Sequence, residues 1–334
     1  MADRLARAVV ACLDGPCRVA AFVGSDGTPV AVATSAPLLV DLPRATAHAL
    51  IERHPPAGWA AAELFLNNDP FAGGVRLDLV AALAPVLVAG RPVGLALAAS
   101  RVPDVGAMAE TAFAYRREVR HEGFRLRLVR AGAADFPPTL AAMLSANVRQ
   151  PEAVLMVLRR IAELARSLAV AASVDWSSEA PVRGAEGLLA GLPAAVQGVA
   201  TVKDPAGSVA IECRLERAGN AVRIALASRG VGPARALPMA AIRSAVLTAL
   251  GDAIGCPPVD LSGYVSVTLD RGRSPDGALP ERRDGQRAAG PWMLCGGPDR
   301  ARRCRFSGRS AATARRFHRM KIHPSRALTR GPKA

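Results

Sequence analysis

Residues 64–79 read LFLNNDPFAGGVRLDL, and they break an Ala/Val/Leu-rich text with Asn67, Asn68, Asp69, Pro70, Gly73, Gly74, Arg76 and Asp78. A second polar segment, SRVPDVG, follows at 100–106 and brings Arg101 and Asp104. Carboxylates such as Asp69 and Asp78 can bind a hard cation or position a water. The same residue types also make turns, in which an Asp side chain accepts hydrogen bonds from its own backbone. Arg76 and Arg101 can grip a carboxylate or phosphate through the planar guanidinium fork, or they can pair with the neighbouring aspartates. Asp104 can serve as a ligand, a base or a loop cap. The residue types leave these alternatives open.

The elements around the two segments set their geometry. LVAALAPVLVAGRPVGLALAAS gives two apolar strands around Ala89-Gly90-Arg91. Their near-continuous hydrophobicity predicts strands covered on both faces. If the strands pair antiparallel, both polar segments lie at one end of the sheet and gather Asp69, Arg76, Asp78, Arg101 and Asp104. Upstream, a helix is expected over 4–13, then a hairpin with strands 18–23 and 29–34 about Ser25-Asp26-Gly27, then a helix from Pro43 that stops at Pro55-Pro56. Helices follow at 138–146 and 151–172, with Pro151 at the start of the second. Residues 174–184 read as a linker. Beyond it, strands are expected near 196–203, 208–216 and 221–227, a helix near 238–252 and a strand at 264–270. The fold class is α/β, specifically a mixed α+β protein with buried central sheet strands and flanking helices. The division expected is 1–175 with the site loops, 176–280 as a second α/β region, and 281–334 as a basic tail.

Composition narrows the function classes. The chain has 334 residues, half of them hydrophobic, enough for a full core. No uninterrupted apolar run reaches 18 residues, so a membrane span is not expected. The first residues read as a helix of a cytoplasmic protein, not as a leader. Six scattered cysteines without a CxxC pair give little support to zinc or a disulfide framework. The five histidines are not spaced as ligands. Dinucleotide, P-loop and nucleophile-elbow motifs are missing. The net charge of +15 is uneven: residues 281–334 hold 15 Lys/Arg against 3 Asp/Glu, so the remainder is nearly neutral. That tail reads as frame-shifted or degenerate text, as a segment that binds a polyanion, or as a lineage-specific extension with no special role. With few aromatics and no nucleic-acid module, nucleic acid is not the expected partner.

Several motifs then point to one family. NNDPFAGGVRLDL resembles the NDPYxGGTHLPD motif of the hydantoinase B/oxoprolinase family, which includes N-methylhydantoinase B, the corresponding half of 5-oxoprolinase, and subunits of acetone and acetophenone carboxylases. LAASRVPDVG resembles its AHHADVGG segment, HEGFRLRLVRAG (121–132) its EEGLRIPPVKL, and SANVRQPEAVLMVLRR (145–160) its ANVRTPEERRGDLRA. All four stand in family order, and the hairpin VAAFVGSDGTPVAVA resembles the family's CALFDADGRLVAQA. The resemblance covers roughly residues 18–170 closely and extends to about 270. It implies a cytoplasmic subunit that works with a hydantoinase A-like partner. The partner would bring ATP, and the reaction would be hydrolysis of a cyclic amide such as hydantoin or 5-oxoproline, or carboxylation of a ketone.

The departures are informative. The family's motif histidines fall at Arg76, Arg101 and Val102, its motif Asp at Leu79 with Asp78 one residue early, and a later Asp at Ala225. Arginine stays protonated and offers no lone pair to a metal. The resemblance implies a divalent metal, but only Asp69 and Asp104 remain as candidate ligands, and the metal itself is unknown. Carried over by motif, the catalytic candidates are Asp69, Asp78 and Asp104. The substrate-binding candidates are Asn68, Gly73, Gly74, Arg76, Arg101, Asn147 and Arg149. A rival expectation is a non-catalytic structural or regulatory relative, or a degenerate remnant. A third class is polyanion binding through the tail.

Overall fold

A computed structural model describes residues 2–15, 17–61, 63–107, 122–132, 136–175, 185–204, 207–230 and 238–270. The basic segment 281–334, and most of the expected linker, lie outside these residues. In chain order the elements begin with helix α1 (Ala2–Ala11), strands β1 (Cys17–Gly24) and β2 (Pro29–Thr34), helix α2 (Leu42–Arg53), and strands β3 (Phe65–Asn67), β4 (Leu79–Val88), β5 (Arg91–Arg101) and β6 (Val129–Arg130). They continue with helices α3 (Pro138–Asn147), α4 (Pro151–Asp175) and α5 (Ala185–Ala190), and strands β7 (Ala195–Asp204), β8 (Gly207–Ala218) and β9 (Ala221–Gly230). Helix α6 (Met239–Ile254) and strand β10 (Val265–Asp270) complete the set.

Six strands form the main sheet in the order β2-β1-β5-β4-β3-β6, every neighbouring pair antiparallel. Local turn chemistry sets the hairpins. Between β1 and β2, the Asp26 carboxylate accepts from the Thr28 backbone N–H and hydroxyl, and Gly27 takes φ 86°. Between β4 and β5, Ala89 (φ 48°) and Gly90 (φ 75°) are both left-handed, the two-residue turn whose twist suits a hairpin.

Alternation along β4 shows why its sequence is apolar throughout. Val80, Ala82, Ala84 and Val86 face a core made with α1, α3 and α4, including Leu5, Leu144, Val154 and Leu158. Leu79, Ala81 and Leu83 face the opposite core, with Leu42, Ala47 and Leu50 of α2 and Ala240 of α6. Helices therefore cover both faces of the sheet, as near-continuous apolar strands require.

A second sheet has the order β10-β9-β8-β7, antiparallel except for the parallel pair β9–β10. Its covered face packs Val222, Ile224 and Val265 against Leu189 of α5 and Leu247 and Leu250 of α6. Helix α6 thus contributes to both cores. A buried ion pair lies at this junction: Arg243 Nε of α6 donates to Asp41 Oδ2 at 3.1 Å. Arg44 Nε donates to Asp41 Oδ1 at 2.8 Å, and the Asp41 N–H reaches Ser244 Oγ at 2.9 Å. The Arg243 fork also donates to the carbonyls of Val265 and Ser262.

Three features differ from the sequence expectation. Strands β3 and β6, of three and two residues, were not anticipated, because strands that short carry no alternation. Helix α4 runs to Asp175, into the segment read as linker. Helix α5 went unanticipated, since six residues show too few turns for a period.

Candidate functional site

The antiparallel β4–β5 pairing places Leu79 opposite Arg101, so the 68–78 and 102–107 segments emerge at one end of the main sheet. Residues 122–128 arrive at the same end, because they lead into β6 beside β3. Five arginines and three aspartates collect there in three groups.

The first group is centred on Asp78. Arg76 donates through Nε and Nη2 to its two carboxylate oxygens at 2.8 and 3.0 Å. Arg101 donates through Nε and Nη2 to Oδ2 at 3.0 and 2.7 Å. Each guanidinium keeps further N–H donors facing outward, and Arg101 is 61% exposed.

The second group is centred on Asp104. Its Oδ1 accepts from Gly106 N–H at 2.8 Å, and its Oδ2 accepts from the backbone N–H groups of Arg149 and Gln150, which lead into α4. The Arg149 side chain lies beside the same carboxylate and donates to the Ala107 carbonyl at 2.6 Å. Burial alone would raise the Asp104 pKa. The three N–H donors and the Arg149 charge outweigh it and hold the carboxyl below its usual range. Asn147 caps its own helix, donating to the Met143 carbonyl.

The third group is centred on Asp69, which is fully buried. Oδ1 accepts from the Phe71 N–H at 2.9 Å, as an Asx turn does. Oδ2 has no hydrogen-bond partner, and the Nε atoms of Arg125 and Arg127 both stand 3.7 Å from it. Asn68 is a structural tie: its amide donates to the Leu77 and Phe124 carbonyls, and its Oδ1 accepts from Leu126 N–H. Gly73 and Gly74 are where they are for space. A Cβ on Gly73 would stand 2.3 Å from the Ala45 carbonyl oxygen, and one on Gly74 would stand 2.7 Å from that of Asp69.

Sequence reasoning missed Arg125 and Arg127. The signal was available, since alternate residues of an extended stretch leave on one side and Leu126 between them is fully buried. Asp69, Asp78 and Asp104 share the sheet end, but each has its own arginine partners. Among the described residues no group of three His, Cys, Asp or Glu is placed to hold a metal ion. His48 lies against the Gly27 turn and His54 against the Phe65 ring. A divalent cation does not fit this donor set, because the unpartnered carboxylate oxygen is already faced by two cations. No described helix is long and apolar enough to cross a membrane.

This is a mixed α+β protein whose polar end combines arginine-bound carboxylates with donors left over. Residues 10–167 match the family model for hydantoinase B/oxoprolinase. Comparison with curated proteins gives no match. Among solved structures, the fold is similar to nucleotide-free acetone carboxylase, with TM-score 0.63 and 17% identity over 75% of this chain and 40% of that one. It is also similar to the ATP-dependent caprolactamase from Pseudomonas jessenii, with TM-score 0.67 and 16% identity over 80% of this chain and 52% of that one. The chain therefore spans about half the length of these structures or less, and at such identity the likeness is one of fold.

Proposed function

We propose that this chain is a divergent hydantoinase B/oxoprolinase-type subunit, active with a hydantoinase A-like partner that uses ATP. The observation that carries the reading is that the family's motif segments converge on one end of the main sheet. The reaction class is hydrolysis of a cyclic amide or carboxylation of a ketone. Two similar structures, an acetone carboxylase and a caprolactamase, are named for reactions of these kinds. In this reading Asp78 orients Arg76 and Arg101, whose remaining N–H groups hold an anionic substrate or phosphorylated intermediate. Arg149 extends that surface, and Asn68, Gly73, Gly74 and Asn147 shape it. Asp69 is the carboxylate with a spare acceptor oxygen and the residue assigned to acid–base work. No step is assigned to a metal.

The test is co-expression with a hydantoinase A-like subunit, co-purification, and ATP-dependent turnover of hydantoin, 5-oxoproline, caprolactam or acetone with bicarbonate. Turnover that disappears in Asp69→Ala, with the complex intact, supports the reading. A complex that forms but turns over none of these, or whose turnover ignores Asp69, supports a non-catalytic subunit instead. One observation favours that second reading: Asp78 and Asp104 are both committed to local hydrogen bonds.

A further inference from the structure

We propose that Arg125 and Arg127 form an oxyanion-binding pair, held apart from full pairing by the buried Asp69, that takes the carboxylate or phosphate group of a small molecule. The proposal rests on the functional reading above only for the end of the sheet at which substrate arrives. Its test needs neither partner nor ATP.

Five observations carry it. The two side chains leave on the same side of an extended segment, because the intervening Leu126 is fully buried. That segment is fixed: Asn68 N–H donates to the Leu126 carbonyl at 2.9 Å, while Asn68 Oδ1 receives the Leu126 N–H. Both Nε atoms stand 3.7 Å from Asp69 Oδ2, beyond hydrogen-bond distance. Neither guanidinium makes a hydrogen bond among the described residues, although the side chains are 36% and 52% exposed. Finally, Asp69 Oδ2 is a buried acceptor without a donor, aimed at both cations.

The charge balance names the ligand class. One carboxylate faces two guanidinium groups, leaving a unit positive charge and a full set of forward-facing donors. A planar or tetrahedral oxyanion satisfies both, since guanidinium N–H groups match adjacent oxygens in pairs. Asp69 acts as a resident counter-ion. It keeps the two like charges close while the site is empty, and it competes weakly because its geometry is too long for hydrogen bonds. A metal cation is disfavoured by the same charges.

The experiment is NMR of the full-length chain labelled with ¹⁵N-arginine, titrated with inorganic phosphate and, separately, with succinate. Saturable shifts of two Nε–H signals, absent in R125Q/R127Q, are expected with at least one probe. The double variant should weaken binding about a hundredfold, from the loss of two charge-assisted contacts. D69N should tighten it about tenfold, because it removes a negative charge roughly 6 Å from the anion at an effective dielectric of about 40. Response to phosphate alone assigns a phosphorylated ligand, and response to succinate alone assigns a carboxylate. Thermal melting of each variant establishes that it is folded, and R91Q, at the other end of β5, serves as the control. The proposal is overturned by shifts with neither probe, by binding that survives in R125Q/R127Q, by equal losses in R91Q, or by weaker binding in D69N.

Discussion

Asp104→Ala separates a structural carboxylate from a reacting one. The Asp104 side chain collects three backbone N–H groups, from Gly106, Arg149 and Gln150, and so ties the end of β5 to the entry of α4. Alanine removes all three bonds together with a favourable charge near the positive end of a 25-residue helix. Water can reach part of the site, so the loss falls well short of three fully buried charged bonds. Capping and charge-assisted bonds in such settings suggest roughly 1–3 kcal/mol. For a chain of this size that corresponds to a fall in Tm of about 1–4 °C. Asp104→Asn keeps one acceptor oxygen and should recover about half. The pH dependence has a definite sign. The folded carboxyl titrates below its unfolded value of about 3.9, so its contribution is complete above that value and disappears as pH falls through the lower folded pKa. The wild type–variant gap, measured by urea unfolding from pH 7 to pH 3, should therefore narrow below about pH 4. An Asp104→Ala variant as stable as wild type, yet devoid of activity in the partnered complex, would refute the cap and make Asp104 a reacting group.

Two further outcomes follow from the packing. Asp41→Ala leaves the Arg243 guanidinium buried without its counter-ion and should cost about 3–5 kcal/mol in urea unfolding; a loss below about 1 kcal/mol would mean that the pair is hydrated. Gly106→Ala places a Cβ 1.8 Å from the Asn147 carbonyl oxygen, at a residue with φ 68°. It should destabilise by at least about 3 kcal/mol, read as lost soluble yield or lowered Tm, and wild-type behaviour would show that this turn is not seated on α3.

How much could be read beforehand varied with the range of the interaction. Both hairpins were legible because Asp26-Gly27 and Ala89-Gly90 declare themselves within a few residues. Helices α3 and α4 were legible to within a few residues from their prolines and apolar period. The convergence of two polar loops followed from antiparallel β4 and β5 alone. The sheet order did not, since nothing in β1 states that its second partner is β5. The partners of each carboxylate were also hidden. Asp78 finds Arg76 two residues away, an arrangement weighed from the sequence, whereas Asp69 meets Arg125 and Arg127 more than 50 residues away. The role of Asn68 is equally remote, because it depends on Leu126 and Phe124. Local spacing assigned residue types to a neighbourhood, and tertiary contacts decided which oxygen belonged to which cation.

The pairing of β1 with β5 has a consequence for biosynthesis. Cys17 lies beside Ser100 in the finished sheet, so about 70 residues separate the end of β1 from the start of its inner neighbour. At ribosomal rates of roughly 5–20 residues per second, the first hairpin emerges several seconds before the strand that will cover its open edge has been made. During that interval Val19, Ala20, Ala21 and Phe22, all sealed in the native protein, have β2 along one edge but neither β5 along the other nor helix α4 across their face. The β4–β5 hairpin, by contrast, closes on itself as it is translated. The vulnerable nascent chain is therefore the one that ends between residues 34 and 100, where slow decoding would lengthen exposure and a chaperone would find its most apolar edge.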